Sequence, residues 1–181
     1  MSRAFTKEDD GSGAEVLPDL PQSDHPNYVT LGGLAALQAR LREAHDTLAG
    51  LRAGAGDIET RTPIAMAERD IRFLEERIRR AIPVDPRDQP PGIVAFGAEV
   101  EVIDEDGERR TYRIVGEDEA DAGRGLITVF SPLGRALIGS RVGGVAVWER
   151  PVGSLELEVV AVRYGLGEMW SGKVPVGDDG S

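Results

Sequence analysis

Two stretches of equal length decide the fold: LAALQARLREAHDTLAGL (residues 34–51) and IAMAERDIRFLEERIRRA (residues 64–81). In each stretch, apolar residues recur at alternating spacings of three and four positions. These residues are Leu34, Leu37, Leu41, Ala44, Leu48 and Leu51 in the first stretch, and Ile64, Ala67, Ile71, Leu74, Ile78 and Ala81 in the second. Such spacing is typical of the a and d positions of a coiled coil. Because only a short segment separates the two stretches, the sequence predicts an antiparallel helical hairpin.

The ends of both helices carry recognisable boundary signals. Thr30 can cap the first helix, and Gly54 suits its end because glycine is a poor helix former. Thr62 followed by Pro63 is a favourable N-cap and first-turn pair for the second helix. Pro83 is expected to end that helix.

Beyond residue 92 the apolar period changes to two, which indicates strands. Asp104–Gly107 has the composition of a hairpin turn, and Ser131, Pro132 and Gly139 bracket one short helix. The predicted strands are Glu99–Ile103, Arg110–Val115, Leu126–Phe130, Val145–Glu149 and Leu155–Arg163. The fold class is therefore α+β: a coiled-coil hairpin followed by an antiparallel β domain with one short helix.

These patterns divide the chain into five parts. The predicted parts are a disordered acidic tail (1–27), the hairpin (28–83) with its tip at 54–62, a linker (84–91), the β domain (92–165) and a flexible tail (166–181).

The composition excludes several classes of protein. The chain carries a net charge of −11, has no cysteine, and has only two histidines. A disulfide framework, a thiol nucleophile and a cysteine- or histidine-rich metal site are therefore excluded. No apolar run is long enough to span a membrane and no signal peptide is evident, so a cytoplasmic protein is expected. The acidity argues against tight independent DNA binding and favours a protein partner with a basic surface.

Two segments of the β domain resemble a known family. Ser131–Gly139 is similar to the Ser-Pro-x-x-x-x-Leu-Ile-Gly segment of the Gre transcript-cleavage factors, and Tyr112–Asp121 is similar to their Tyr-x-Ile-Val-Gly-x-x-Glu-Ala-Asp segment. In the hairpin, Thr30–Leu34 and the Gly-Asp-Ile at the tip resemble the same family. The resemblance covers about residues 28–165.

The resemblance implies a specific function. The β domain would be FKBP-like and would hold the rim of the RNA polymerase secondary channel, partly through Phe130, Ser131 and Pro132, while the hairpin enters the channel. Acids at the tip, here Asp57 and Glu59, would help to hold a Mg²⁺ beside the polymerase's own metal, where it activates water to cut backtracked RNA. The chain would be an accessory factor and not an enzyme, with RNA polymerase as its partner and nascent RNA nearby.

The tip departs from the family's pattern of two acids separated by two residues and followed by Asn. Asp57 matches the first acid, but Thr60 occupies the position of the second, Glu59 comes one residue early, and Arg61 replaces the Asn. Each arm also lacks about one heptad relative to the family. At ~1.5 Å per residue, the tip would fall ~10 Å short of the usual reach. Weak or absent stimulation of cleavage is therefore expected.

Other arginines and acids have two interpretations. Arg61, Arg69 and Arg72 are candidates for contacts with RNA or the channel wall. The alternative for the helix arginines, Arg77 included, is a solvated face paired with nearby glutamates. The acidic residues 117–121 are interpreted as a solvated turn.

Two further functions stay open. Relatives with this β domain but another hairpin act as Gre-fold inhibitors or as Rnk-type regulators through channel occupancy. An FKBP-like prolyl isomerase is the more remote alternative, since it needs a concave pocket lined by aromatic residues, and the aromatic residues here are scattered.

Overall fold

The computed structural model describes residues 16–54 and 60–165, and the first of its two parts is a helical hairpin. Helices α1 (Leu31–Ala53) and α2 (Arg61–Arg79) pack against each other. Leu37 and Leu74 are buried at their interface, surrounded by Leu34, Leu41, Ala44 and Ile78. The hairpin predicted from the two stripes is confirmed.

Both ends of α1 match the sequence signals, since the helix ends at Ala53 before Gly54, whereas both ends of α2 differ from the prediction. Thr30 caps α1 as expected, accepting a hydrogen bond from the Gly33 amide at 2.9 Å. Helix α2 begins at Arg61, two residues before the predicted start at Pro63. Proline is tolerated there because the amides of the first turn have no partner within the helix. The helix also ends at Arg79, well before Pro83.

The early end of α2 has a clear cause. After α2 the chain forms strand β2 (Ala81–Pro83), which pairs in parallel with β1 (Asn27–Val29). The chain before α1 and the chain after α2 are therefore hydrogen-bonded to each other. The Val84 amide adds a bond to the Val29 carbonyl at 3.0 Å. The sequence did not predict this pair, since three residues are too few to show a period.

The second part of the structure is a curved sheet covered by one helix. Within the described residues, five strands pair in the order β5-β4-β3-β7-β6. They are β3 (Glu99–Asp104), β4 (Arg109–Val115), β5 (Leu126–Thr128), β6 (Val145–Trp148) and β7 (Leu155–Arg163). Helix α3 (Pro132–Leu137) buries Leu133 and Leu137 against the sheet. The predicted α+β architecture is confirmed.

Two details of the sheet correct the prediction. Strand β5 pairs in parallel with β4, whereas every other pair is antiparallel, because residues 116–125 carry the chain back before β5 begins. Strand β5 also ends at Thr128 and not at Phe130. The Thr128 hydroxyl accepts hydrogen bonds from the amides of Phe130 and Ser131, which turns the chain toward α3.

The start of α3 matches the sequence signals. The Ser131 hydroxyl accepts a hydrogen bond from the Gly134 amide at 3.0 Å, and Pro132 is the first helical residue. Gly139 has φ +83°, a conformation that favours glycine.

The part of the chain described by the structure contains no helix with the length and hydropathy that membrane crossing requires.

Candidate functional site

The joint between the hairpin and the β domain is built on the segment Glu117–Glu119, a 3-10 turn that follows β4. The Glu119 carboxylate accepts hydrogen bonds from the Thr30 hydroxyl at 2.5 Å and from the Thr30 amide at 3.1 Å. Helix α1 has no acidic residue in its own first turn. The β domain therefore supplies the negative charge that a helix N-terminus favours.

Two glycines make this close approach feasible. A Cβ atom added to Gly33 would overlap the Glu119 carboxylate, and one added to Gly116 would overlap the Tyr28 carbonyl oxygen. Neither glycine has a positive φ, so the constraint is space: at Gly116 the obstacle is fixed backbone, and at Gly33 a Cβ would push the Glu119 carboxylate away.

An ion pair lies beside this contact. Arg77 of α2 is only 3% exposed, and its guanidinium donates to Asp118 Oδ2 at 2.6 and 2.9 Å. The same group donates to Asn27 Oδ1 at 2.6 Å, and the Asn27 amide returns a bond to the Arg77 carbonyl at 2.8 Å. We call Asn27, Thr30, Arg77, Asp118 and Glu119 the joint cluster.

The joint cluster corrects two interpretations made from the sequence. Arg77 does not lie on a solvated face, and the acidic segment 117–121 is not simply a solvated turn, because Asp118 and Glu119 bind the hairpin. A signal was available for Glu119, which belongs to the segment that resembles the Gre family. For Arg77 the only signal was its position beside Ile78, at the edge of the apolar stripe.

Residues 17–25 lie against the hairpin and reach the β domain; we call them the N-terminal strap. Arg72 Nε donates to Asp19 at 2.7 Å, and Arg72 Nη2 donates to the Leu17 carbonyl at 2.9 Å. At the other end, the side chains of Ser23 and His25 both hydrogen-bond to Glu117 Oε1 at 3.0 Å. The predicted domain boundaries remain predictions, but this part of the expected disordered tail makes defined contacts.

The predicted polymerase-binding residues lie next to the strap. The Phe130 ring is half-buried and stacks on the His25 ring, with centroids 4.0 Å apart and planes 8° from parallel. Ser131 uses its hydroxyl to cap α3, and Pro132 is exposed. Phe130 and Pro132 are therefore the two side chains of this segment that a partner can contact.

An apolar cleft of about 440 Å³ opens on the same side of the β domain. It is lined mainly by Tyr28, Phe96, Val129 and Ile138, and the rings of Tyr28 and Phe96 lie 5.9 Å apart. Val129, which lines the cleft, directly precedes Phe130, so the cleft borders the Phe130–Pro132 segment.

The other predicted site residues are not brought together. Arg69 pairs with Asp70 at 2.9 Å, Arg72 is held by the strap, and Arg61 starts α2 as an exposed residue. Asp57 and Glu59 lie outside the described residues. In residues 16–54 and 60–165, no three potential metal-ligating side chains form a group.

Comparison with known proteins identifies the family. The profile described as "Transcription elongation factor, GreA/GreB, C-term" matches residues 89–164. The transcription elongation factor GreA of Rhodospirillum rubrum is 39% identical over 152 residues, which cover 76% of this chain and 97% of that protein. The chain belongs to the GreA/GreB family. The two β-domain segments that resembled the family, Tyr112–Asp121 and Ser131–Gly139, lie in the region matched by the profile.

Other GreA/GreB proteins match over less of their length. The GreA of Alkalilimnicola ehrlichii is 44% identical over 102 residues, 55% of this chain, and the match spans 65% of that protein, just under two thirds. Among solved structures, the GreA factor homolog Gfh1 of Thermus thermophilus is 28% identical and matches 77% of this chain and 99% of that chain, with a TM-score of 0.37.

Proposed function

We propose that this GreA/GreB-family protein binds RNA polymerase at the secondary channel and modulates transcription elongation, with the hairpin inserted in the channel. The observation that carries the proposal is the joint cluster. A factor that docks through one domain and acts through the end of the other needs a fixed angle between them, because a rotation at the joint would move the tip by many ångströms. The buried Arg77–Asp118 pair and the Glu119–Thr30 contact supply that fixed angle. A polymerase partner also implies a cytoplasmic location.

The docking surface that we propose consists of Phe130, Pro132 and the adjoining apolar cleft. Ile138, which is 39% exposed, lies between the helix and the cleft. An apolar side chain of the partner can enter the cleft, while Phe130 and Pro132 contact the backbone beside it. Partially exposed apolar residues grouped around a concavity are the usual centre of a protein interface.

The tip residues fit a metal only in part. Asp57 and Glu59 supply two carboxylates at most, and carboxylate oxygens are suitable ligands for Mg²⁺. Since Mg²⁺ takes about six ligands, most of them would have to come from water and from the polymerase. When bound, the ion would supply an activated water for RNA cleavage by the polymerase.

Helix length argues for channel occupancy over strong cleavage. Helices α1 and α2 have 23 and 19 residues, which is about 35 and 28 Å at ~1.5 Å per residue. The alignment with the R. rubrum GreA is 152 positions long, but this chain contributes only 76% of its 181 residues to it. The remaining aligned positions are residues that the relative has and this chain lacks. Residues missing from the arms would place the tip too far from the polymerase's metal. A Gre-fold inhibitor and an Rnk-type regulator, the two alternatives, would also act by occupying the channel.

The docking surface is tested by binding measurements on core RNA polymerase. Replacing Phe130 and Pro132 together by Ala, or Ile138 by Glu, should weaken binding about tenfold or more while the circular dichroism spectrum stays unchanged. Val152→Glu is the matched control, because Val152 is an apolar residue exposed to 86%. If all variants bind polymerase equally well, this segment is not the docking surface.

The contribution of the tip is tested by RNA cleavage on a stalled, backtracked elongation complex. If reach is limiting, Thr60→Glu alone should not restore cleavage, and only its combination with one extra heptad in each arm should do so. Strong cleavage by the unmodified protein, abolished by Asp57→Ala, would show that Asp57 and Glu59 suffice.

A prolyl isomerase function finds less support. Of the residues that line the cleft, only Tyr28 and Phe96 are aromatic, and Tyr28 comes from β1 at the base of the hairpin. The β domain alone therefore supplies one aromatic side chain to it.

A further inference from the structure

The N-terminal strap spans both parts of the structure. Its first residues are held by Arg72 on α2, and Leu20 lines an apolar groove of the hairpin together with Ala44 and Phe73. Its last residues contact Glu117 and Phe130 of the β domain. A single segment of nine residues therefore crosses from one face of the hairpin to the docking surface.

Each end of the strap occupies a group that is a candidate for contact with the polymerase or its RNA. The His25 ring covers one face of Phe130 in a near-parallel stack. The Arg72 guanidinium, a candidate for contacts with RNA or the channel wall, is neutralised by Asp19. While the strap is in place, a polymerase can reach only the uncovered part of Phe130, and it must break the Arg72–Asp19 pair to use Arg72.

The contacts of the strap are weak enough to open. The side chains of Asp19 and His25 are 75% and 53% exposed, and Arg72 is 39% exposed. Exposed ion pairs and one ring stack each contribute little to stability. This differs from the joint cluster, where Arg77 is buried.

We propose that the N-terminal strap is an autoinhibitory segment that competes in cis with RNA polymerase for Phe130 and Arg72. The inference rests on the proposed docking surface. A protein whose binding-competent form is only a fraction of the population shows an apparent dissociation constant raised by the inverse of that fraction. We take the closed form, held by these exposed contacts, to be favoured roughly tenfold, and release should strengthen binding by about the same factor.

Release of the strap is tested with Asp19→Asn combined with His25→Ala, which removes the ion pair with Arg72 and the ring stack on Phe130. The matched control is Asp24→Asn, which removes the same charge from an exposed residue of the same strap. We expect the double variant to bind core RNA polymerase about five- to tenfold more tightly than the unmodified chain, and the control to bind like the unmodified chain.

The opposite perturbation locks the strap. Because the chain has no cysteine of its own, Asp19→Cys and Arg72→Cys can be joined by a short bis-maleimide cross-link. The cross-linked protein should bind polymerase at least tenfold more weakly than the same variant left unlinked, which is its own control.

The outcomes separate this inference from the proposed function. If release and locking leave affinity within about twofold while Phe130→Ala with Pro132→Ala weakens it, the strap does not compete and the docking surface stands. Weaker binding after release would make the strap part of the docking surface and would overturn the inference. If the Phe130 and Pro132 changes have no effect in any background, the docking surface is wrong and the inference falls with it.

Discussion

Replacing Arg77 by Met should destabilise the protein substantially, because it removes one partner of a buried ion pair while keeping an unbranched apolar stem in place of the arginine's own. Asp118, 14% exposed, would lose its three hydrogen bonds from Arg77, and Asn27, 2% exposed, would lose the donor to its Oδ1. Removing one partner of a fully buried pair typically costs about 3–5 kcal/mol. Because water can reach Asp118 in part, we expect a loss of about 2–4 kcal/mol in the free energy of unfolding.

Urea unfolding followed by circular dichroism measures this loss. Arg79→Met is the control: Arg79 lies two residues away, its side chain is 75% exposed, and it pairs with Glu76 on its own helix. Such a pair is worth less than about 1 kcal/mol. A double-mutant cycle with Asp118→Asn should give a coupling energy of about 1–3 kcal/mol. If Arg77→Met costs no more than Arg79→Met, or if the coupling is zero within error, the joint cluster does not hold the two parts together.

Two further changes test the joint and the linker. Gly33→Ala should destabilise the protein by about 1–2 kcal/mol in a thermal melt, although alanine is the better helix former, because the new methyl group displaces Glu119. Gly50→Ala is the control: Gly50 faces open space on the same helix, so this change should stabilise the protein by up to about 1 kcal/mol. The pKa of Asp85 is lowered to about 2, first by its side-chain hydrogen bond with Arg87 and then by the Arg87 amide. Its contribution is therefore present above the ordinary pKa of 3.8 and lost as the pH falls through about 2; an NMR titration in which Asp85 protonates near 3.8 would contradict this.

The secondary structure was largely predictable because each element repeats its signal several times. The two apolar stripes each have six members, and the longest strand, β7, alternates four apolar residues, Leu155, Leu157, Val159 and Ala161. The short helix α3 has only six residues, but Ser131 and Pro132 at its start and Gly139 after its end make it recognisable. Where an element had neither repetition nor capping residues, as in the three-residue strands β1 and β2, the sequence offered nothing to detect.

The joint could not be predicted for a different reason. Arg77 and Asp118 are 41 positions apart, and the same two residue types occur on solvated surfaces throughout the chain. Local pattern does not distinguish an arginine that will be buried by another domain from one that will face water. The strap shows the same limit, since its composition is that of a disordered segment and its contacts depend on a helix face about fifty residues away. The tip residues Asp57 and Glu59 remain predictions from the resemblance.

The pairing of β1 with β2 joins the two ends of the hairpin at its base. Backbone hydrogen bonds join the residues that enter the hairpin to those that leave it, so the distance between its two attachment points does not depend on the length of the arms. Residues added or removed in equal number between Leu37 and Leu74 change only the far end, provided that whole heptads are used. Exchanging this segment for the arms of a longer relative should therefore increase the distance from the base of the hairpin to its tip without disturbing the β domain.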